Sequence, residues 1–460
     1  MTQVGDDSLA ICGEAETEAE GASPTSQTPW KAEAGGSDPR QVRWNLGVLT
    51  LDVTFFALGM SFMDLSAIVP LLLERLGATG PLIGAFMAAR YLAFNLPQIL
   101  GAYVAHGLPR QKPPLVWAAT VTRLPLLALP WLLWHAADSS AARTLALWAS
   151  LVLIVFWAFG DGAGYVPWME IVARSFSARI RGRFFATTQF LSGVISIGAA
   201  ALVVRPVLQA VSLPYPHDYA LLLGLAALMF QISLVGVLLI REPRVPALPS
   251  SQTVRPPLAA YFRRLPGLVR SHPVFARLAW AQLLLGAGSA ATPFYVLYAT
   301  RHFNLSDSWG GTYQMMQAIG VVTLTPLWAF LSERRSPATA VRALALACLL
   351  TPVLALTAGA HSPWLFGLVF LLMGGSLGWG MWIVFNHFLL EHIAEEERPV
   401  FVALLNLLYA PSAIYPFLGG LLVPHKQLLA VAGMPLLFLL TALVTALGAA
   451  LTLRLPAPDV

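Results

Sequence analysis

From Val42 to Leu453 the chain alternates long apolar stretches with short polar gaps, and twelve such stretches can be drawn. They run 45–72, 80–104, 114–134, 143–165, 184–208, 218–240, 275–299, 310–332, 339–359, 363–390, 400–423 and 427–453. About 20 apolar residues match the hydrocarbon thickness of a bilayer as a helix. Only helices or closed barrels cross it without stranding backbone polar groups. The pattern therefore predicts an all-α membrane protein of about twelve transmembrane helices.

The charges sort by gap. Even-numbered gaps carry Arg110 and Lys112; Arg174, Arg179, Arg181 and Arg183; Arg241, Arg244, Arg255, Arg263, Arg264 and Arg270; Arg334 and Arg335; and Arg398. Odd-numbered gaps carry only Arg75, Arg301 and Lys426, with Arg143 and Arg205 at their edges. Basic residues in short loops mark the cytoplasmic side, so both termini are expected inside. The gap between spans 10 and 11 is acidic (Glu391, Glu395, Glu396, Glu397), but acidic residues contribute little to orientation.

Composition sharpens this picture. Hydrophobic residues make up 57% of the chain and charged ones 11%, too apolar for a soluble domain. The net positive charge follows from the cytoplasmic gaps, so it points to anionic lipid headgroups and away from nucleic acid. The two cysteines, Cys12 and Cys348, cannot form a disulfide framework. Residues 1–41 hold small and acidic residues that cannot bury a core, and they read as a disordered cytoplasmic tail without a signal peptide. The longest internal gap, 241–274, opens with five prolines and contains Tyr261-Phe262-Arg263-Arg264-Leu265, either a basic segment on the inner leaflet or a solvated loop.

The two halves match each other. Arg181-Gly182-Arg183-Phe184-Phe185-Ala186-Thr187-Thr188-Gln189 opens span 5, and Arg398-Pro399-Val400-Phe401-Val402-Ala403-Leu404-Leu405-Asn406 opens span 11 with Arg, Phe, Ala and an amide in step. The gap Leu76 to Gly84 matches Phe303 to Gly311, which sets Arg90 opposite Gln317. Two matches in the same order indicate duplication. On this six-plus-six plan, with its central loop and its Arg-Gly-Arg-Phe-Phe run, the chain over 45–453 resembles the major facilitator superfamily. The family's motif after span 2, roughly G-x-x-x-D-R-x-G-R-R, is represented only by Gly101-Ala102-Tyr103-Val104-Ala105-His106-Gly107-Leu108-Pro109-Arg110-Gln111-Lys112, which lacks the acidic residue. Leu331-Ser332-Glu333-Arg334-Arg335 after span 8 is a partial counterpart. The resemblance implies six-helix bundles at 42–240 and 275–460 around a cavity that opens alternately to each side. Spans 1, 4, 7 and 10 would line it, with contributions from 2, 5, 8 and 11.

Ionisable residues at membrane depth are functional candidates, because they cost several kcal/mol unless paired or wet. Asp52, Asp64, Arg90 and Arg123 stand out. Spans 1 and 2 should pack antiparallel about the turn near Gly77, which brings Asp64 and Arg90 to similar depth. Such a pair reads either as a gate or proton-coupling element or as a permanent structural ion pair. Asp52 and Arg123 could meet nearer the cytoplasm, where a structural role is the simpler reading. Asp161 and Glu170, followed by Arg174, Arg179, Arg181 and Arg183, form a charge cluster that either latches the bundles or is a solvated loop. Gly160-x3-Gly164 and Gly374-x3-Gly378 read first as helix-packing pairs.

Polar and aromatic residues on the expected cavity helices make up a candidate solute surface: Gln189, Gln282, Tyr295, Gln314, Gln317, Trp379, Trp382, Asn386, Asn406 and Tyr409. Taken singly, each reads as an interhelical hydrogen bond or interfacial aromatic. Enzyme patterns carry less weight. Gly374-Gly375-Ser376-Leu377-Gly378 lies inside an apolar span without the strand–turn–helix elbow that G-x-S-x-G chemistry needs. His387, Glu391 and His392 lack the further ligands of a metal site. No cofactor is expected, and no phosphate-binding loop for direct ATP drive is present. The expectation is a monomeric secondary transporter of a small organic solute in the cell membrane, by alternating access and with proton coupling open. The rivals are a receptor or assembly component on the same scaffold and, third, an intramembrane enzyme.

The alternation of charge predicts that thiols introduced at Lys112, Arg181 and Arg264 are shielded from an impermeant reagent in intact cells. One introduced at Lys426 is labelled. External labelling of Lys112→Cys would overturn the topology.

Overall fold

A computed structural model describes residues 39–105, 110–243, 267, 269–358, 361–393, 397–423 and 430–456. Within these, all regular structure is helical. Most of the expected tail, most of the central loop and Lys426 lie outside the described residues, and the first helix starts at Pro39.

The helices fall into twelve spans. Spans 2, 4, 6, 8, 9 and 12 are continuous: Gly80–Ala105, Ser140–Ser175, His217–Leu239, Ser308–Arg334, Pro337–Ala358 and Ala430–Leu453. The other six are interrupted. Span 1 is Pro39–Phe62 and Ile68–Arg75; span 3 is Lys112–Arg123 and Ala128–Trp134; span 5 is Ala178–Ala199 and Arg205–Gln209 about a π turn. Span 7 is Pro273–Leu285 and Thr292–His302; span 10 is Pro363–Ser376 and Trp379–His392; span 11 is Arg398–Tyr409 and Tyr415–Leu422. Eleven of the spans are long and apolar enough to cross a membrane among the described residues. Span 2, with Arg90, Asn95 and Gln98 in its course, is seated by packing against spans 4 and 11.

The apolar core forks. One buried cluster joins both halves at the end formed by the odd-numbered gaps, where Met63, Leu71, Phe86 and Trp157 share a body with Phe294, Tyr313, Phe366 and Phe438. At the basic end the core splits. Leu49, Ile171, Phe176, Phe184 and Val237 belong to the first half; Leu278, Trp328, Phe385, Phe388 and Phe401 belong to the second. The basic-end segments of spans 7, 10 and 11 pack chiefly within their own half.

Lipid is as apolar as a leucine side chain, so close packing of small residues, and not burial from water, holds membrane helices together. Within the first half, Gly162 lets span 4 touch the backbone of span 2 at Phe94, and Gly160 accommodates Thr122 of span 3. Gly320 does the same in the second half, meeting the span 10 backbone at Leu371. Gly374 rests on the Gln317 backbone, as a packing pair requires, but its partner Gly378 sits instead at the break in span 10, at φ +80°. Between the halves, Gly84 meets the backbone of Pro416, and Gly420 meets that of Gly80.

These contacts set an expected stability order. Gly162→Val and Gly320→Val drive a side chain into a backbone carbonyl and should each cost about 1–3 kcal/mol or more. Gly182→Ala and Gly198→Ala, which meet open space, should not lower stability. Melting in detergent separates the two pairs, and equal losses in both would contradict the packing.

Candidate functional site

The first half encloses a connected set of charges. Asp52, 5% exposed, accepts from Ser233 Oγ at 2.5 Å and from Trp168 Nε1 at 2.9 Å. Arg123 Nη1 donates to the same Ser233 hydroxyl at 3.0 Å and to the Phe230 carbonyl at 3.5 Å. A hydroxyl has one proton to give and lone pairs to receive, so Ser233 links the two charges without direct contact between them. Arg123 Nη2 also lies 3.7 Å from Asp161 Oδ1, and its guanidinium stands 5.4 Å from the centre of the Phe56 ring. Asp52 and Arg123 thus join one network through Ser233 and not as a direct pair, with spans 4 and 6 supplying the partners.

Asp64 behaves differently. Span 1 breaks between Phe62 and Ile68, and the break frees backbone N–H groups. Asp64 Oδ1 accepts from Ser66 N at 2.9 Å and Ala67 N at 2.6 Å. The expected Asp64–Arg90 ion pair is therefore not formed in this structure, because the carboxylate caps its own chain. Arg90 lies 5.0 Å from the Tyr91 ring centre, within Coulombic range of Asp64 and Asp161, and its buried Nε has no hydrogen-bond partner. A sequence signal for this existed. An Asp in a short polar interruption can bond its own backbone two residues on, as an Asx turn, and Asp64 stands two residues before Ser66.

In this structure the charges at the basic end pair within the first half. Glu170 pairs with Arg174 one turn on, at 2.9 Å, and Arg174 reaches Glu242 at 3.7 Å, all within the first half. Glu242 accepts from the backbone of Gln111 and Lys112, and Asn45 bonds Ser175 Oγ and the Arg241 backbone. These bonds staple spans 1, 3, 4 and 6 into one body. Arg181 is half-buried and forms no ion pair among the described residues.

Ion pairs between halves form at the odd-gap end. Arg75 donates to Asp307 through Nε at 3.0 Å and Nη2 at 2.9 Å, and Tyr219 OH donates to the same carboxylate at 2.9 Å. Arg301 Nε donates to Glu74 Oε1 at 2.7 Å. Glu74 and Arg301 each stand two residues before the matched Leu76 and Phe303, so this pair joins equivalent points of the repeats.

The candidate solute residues separate. Gln314, 2% exposed, donates to the Ser61 carbonyl at 2.6 Å, and Gln317 to Ser66 Oγ at 3.4 Å, both across the halves. The Oε1 atoms of Gln282, Gln314 and Gln317 are buried without partners. Tyr295 is wholly buried against Phe438, at 4.8 Å between ring centres, and is a core residue. Asn386 bonds the Trp382 carbonyl in its own helix at 2.8 Å, and Trp382 is 52% exposed. Tyr409 lies against Gly286, Gln189 is half-buried and Asn406 is exposed. The Trp379 side chain lies outside those described.

The sequence model of the Major Facilitator Superfamily matches residues 51–415. No curated protein matches the chain in sequence. Among solved structures, a nucleoside transporter aligns at a TM-score of 0.63 and 12% identity, covering 89% of this chain and 99% of its own. A D-xylose–proton symporter aligns at 0.63 and 13%, covering 90% and 98%. A bacterial homologue of the iron transporter ferroportin, solved in an inward-facing state, aligns at 0.63 and 15%, covering 89% and 98%. At such identities the likeness establishes the fold.

The Ser233 bridge predicts non-additivity. Asp52→Asn or Arg123→Gln alone strands a buried charge and should cost about 3–5 kcal/mol. The double substitution should cost less than the sum of the two. Denaturant titration of the four proteins measures the difference, and plain additivity would show that Ser233 does not couple them.

Proposed function

Because the chain belongs to the major facilitator superfamily, whose members are secondary transporters, we propose that it carries a small organic solute by alternating access coupled to protons. The observation that carries this reading is the forked core. The halves are joined by packing and ion pairs at the odd-gap end and separate at the basic end. With the basic end in the cytoplasm, this arrangement is closed outside and open inside. Rocking the stapled first half against the second about the midplane would break the Arg75–Asp307 and Glu74–Arg301 contacts and close the inner end.

Proton coupling rests on a charge count. Deep in the first half stand Asp52, Asp64 and Asp161 against Arg90 and Arg123, three carboxylates to two guanidiniums. One proton would balance the set. Asp52 and Asp64 each accept two short hydrogen bonds, whereas Asp161 has the 3.7 Å approach of Arg123 and a side chain 22% exposed. Asp161 is therefore the residue we assign to the proton. The second half carries no charge at that depth and presents amides, which suit the polar groups of an otherwise apolar or amphipathic solute.

The test uses purified protein in liposomes holding a pH-sensitive dye, with panels of sugars, nucleosides and organic amines as probes. Some probe should drive proton entry into the vesicles. Asp161→Asn should abolish the proton signal while radiolabelled exchange of the same probe continues. A disulfide between Glu74→Cys and Arg301→Cys should stop both until a reductant is added. Continued exchange through the cross-linked protein would refute alternating access.

A further inference from the structure

Span 1 is a broken helix at the seam between the halves, and a break exposes carbonyls as well as N–H groups. The N–H side is satisfied within the first half by Asp64. The carbonyl side is not: the Ser61 carbonyl accepts from Gln314 Nε2 of span 8 at 2.6 Å, a bond between residues of opposite halves. The Ser61 hydroxyl cannot substitute, since it donates to the Ala57 carbonyl at 2.8 Å. We propose that Gln314 is a positioning residue for transport, capping the broken span 1 in trans only while the outer end is shut.

Three further observations support the assignment. Gln314 is 2% exposed and its Oε1 has no partner, so the amide is spent on this one donation. The turn before it includes Gly310 and Gly311. A Cβ on Gly310 would lie 2.8 Å from Leu71 Cδ1, and one on Gly311 would lie 3.0 Å from Arg205 N. These two glycines seat span 8 against spans 1 and 5 closely enough for the amide to reach. Gln317, one turn further, adds the 3.4 Å contact to Ser66 Oγ on the other side of the break.

The consequence is a preference between states. In the closed outer end the carbonyl is buried and bonded. When the outer end opens, the amide withdraws and water must take its place. Without the amide, the closed state holds a buried carbonyl with no donor, while the open state loses nothing. Loss of Gln314 should therefore shift the chain towards its outward-open form. The inference rests on the alternating-access reading for its meaning, but its test needs no solute and can fail separately.

The test is thiol labelling in a background of Cys12→Ser and Cys348→Ala. Leu71→Cys is the probe. Leu71 is 2% exposed and faces Gly310 across the seam, so an impermeant reagent reaches it from outside only when the outer end opens. Gln314→Leu should speed labelling about tenfold, the effect of leaving one buried acceptor unpaired. Gln314→Asn, too short to span the gap, should accelerate it in the same direction and secures the result if the leucine variant does not accumulate. Ser61→Ala keeps the carbonyl and should label at the parent rate. Parent-rate labelling in either Gln314 variant, or equal acceleration by Ser61→Ala, would overturn the proposal.

Discussion

A polar group at membrane depth must find a partner inside the protein, because the hydrocarbon offers none. The arrangement of this chain follows from that constraint. Ser233 receives from Arg123 and gives to Asp52, so one hydroxyl settles two charges that do not touch. Asp64 turns back on its own backbone because the break in span 1 would otherwise strand two N–H groups. The basic end of the first half is closed over by Asn45, Lys112 and Glu242, each bonded to backbone groups at helix ends. Partners found within one half make that half a rigid body. Under the alternating-access proposal, partners found in the other half would hold only in one state.

That distinction explains an irregularity in the charge pattern. Arg75 and Arg301 are exceptions among odd-numbered gaps otherwise poor in basic residues, and both are spent on carboxylates of the opposite half. Exposed ion pairs contribute little to stability, typically 0–1 kcal/mol. A weak contact suits a gate that must open many times, whereas a buried pair of the Asp52 kind would be costly to separate. The buried charge network thus lies within the first half, and the pairs that reach solvent lie between the halves.

The fold was legible because hydropathy has a long reach: twelve stretches, an alternation of Arg and Lys and two internal matches lead to the two-bundle plan without knowledge of any contact. Site geometry was legible only in part. Depth counting set Asp64 level with Arg90, but no ion pair forms between them in this structure. Counting assumes an unbroken helix, and the break between Phe62 and Ile68 redirects the carboxylate. Asp52 and Arg123 were visible as candidates, but Ser233 and Trp168 are ordinary residues in their own spans and become partners only through packing. The sequence shows that Glu170 and Arg174 are charged but not which partners they take, and in this structure both pair within the first half.

The two halves descend from one pattern yet divide the chemistry. All five deep charges belong to the first half, while the second presents Gln282, Gln314 and Gln317 and no charge at the same depth. Arg90 and Gln317 occupy matched positions, so the same place in the repeat bears a guanidinium on one side and an amide on the other. An amide can exchange a protein partner for water or solute without leaving a charge behind, which fits a surface that reforms its contacts in each cycle. A charge cannot, and is better kept inside a body that moves as a unit. In the proposed cycle, moving the first half against the second would carry the charged network past the seam intact, while the apolar packing, amide bonds and ion pairs between the halves would be exchanged.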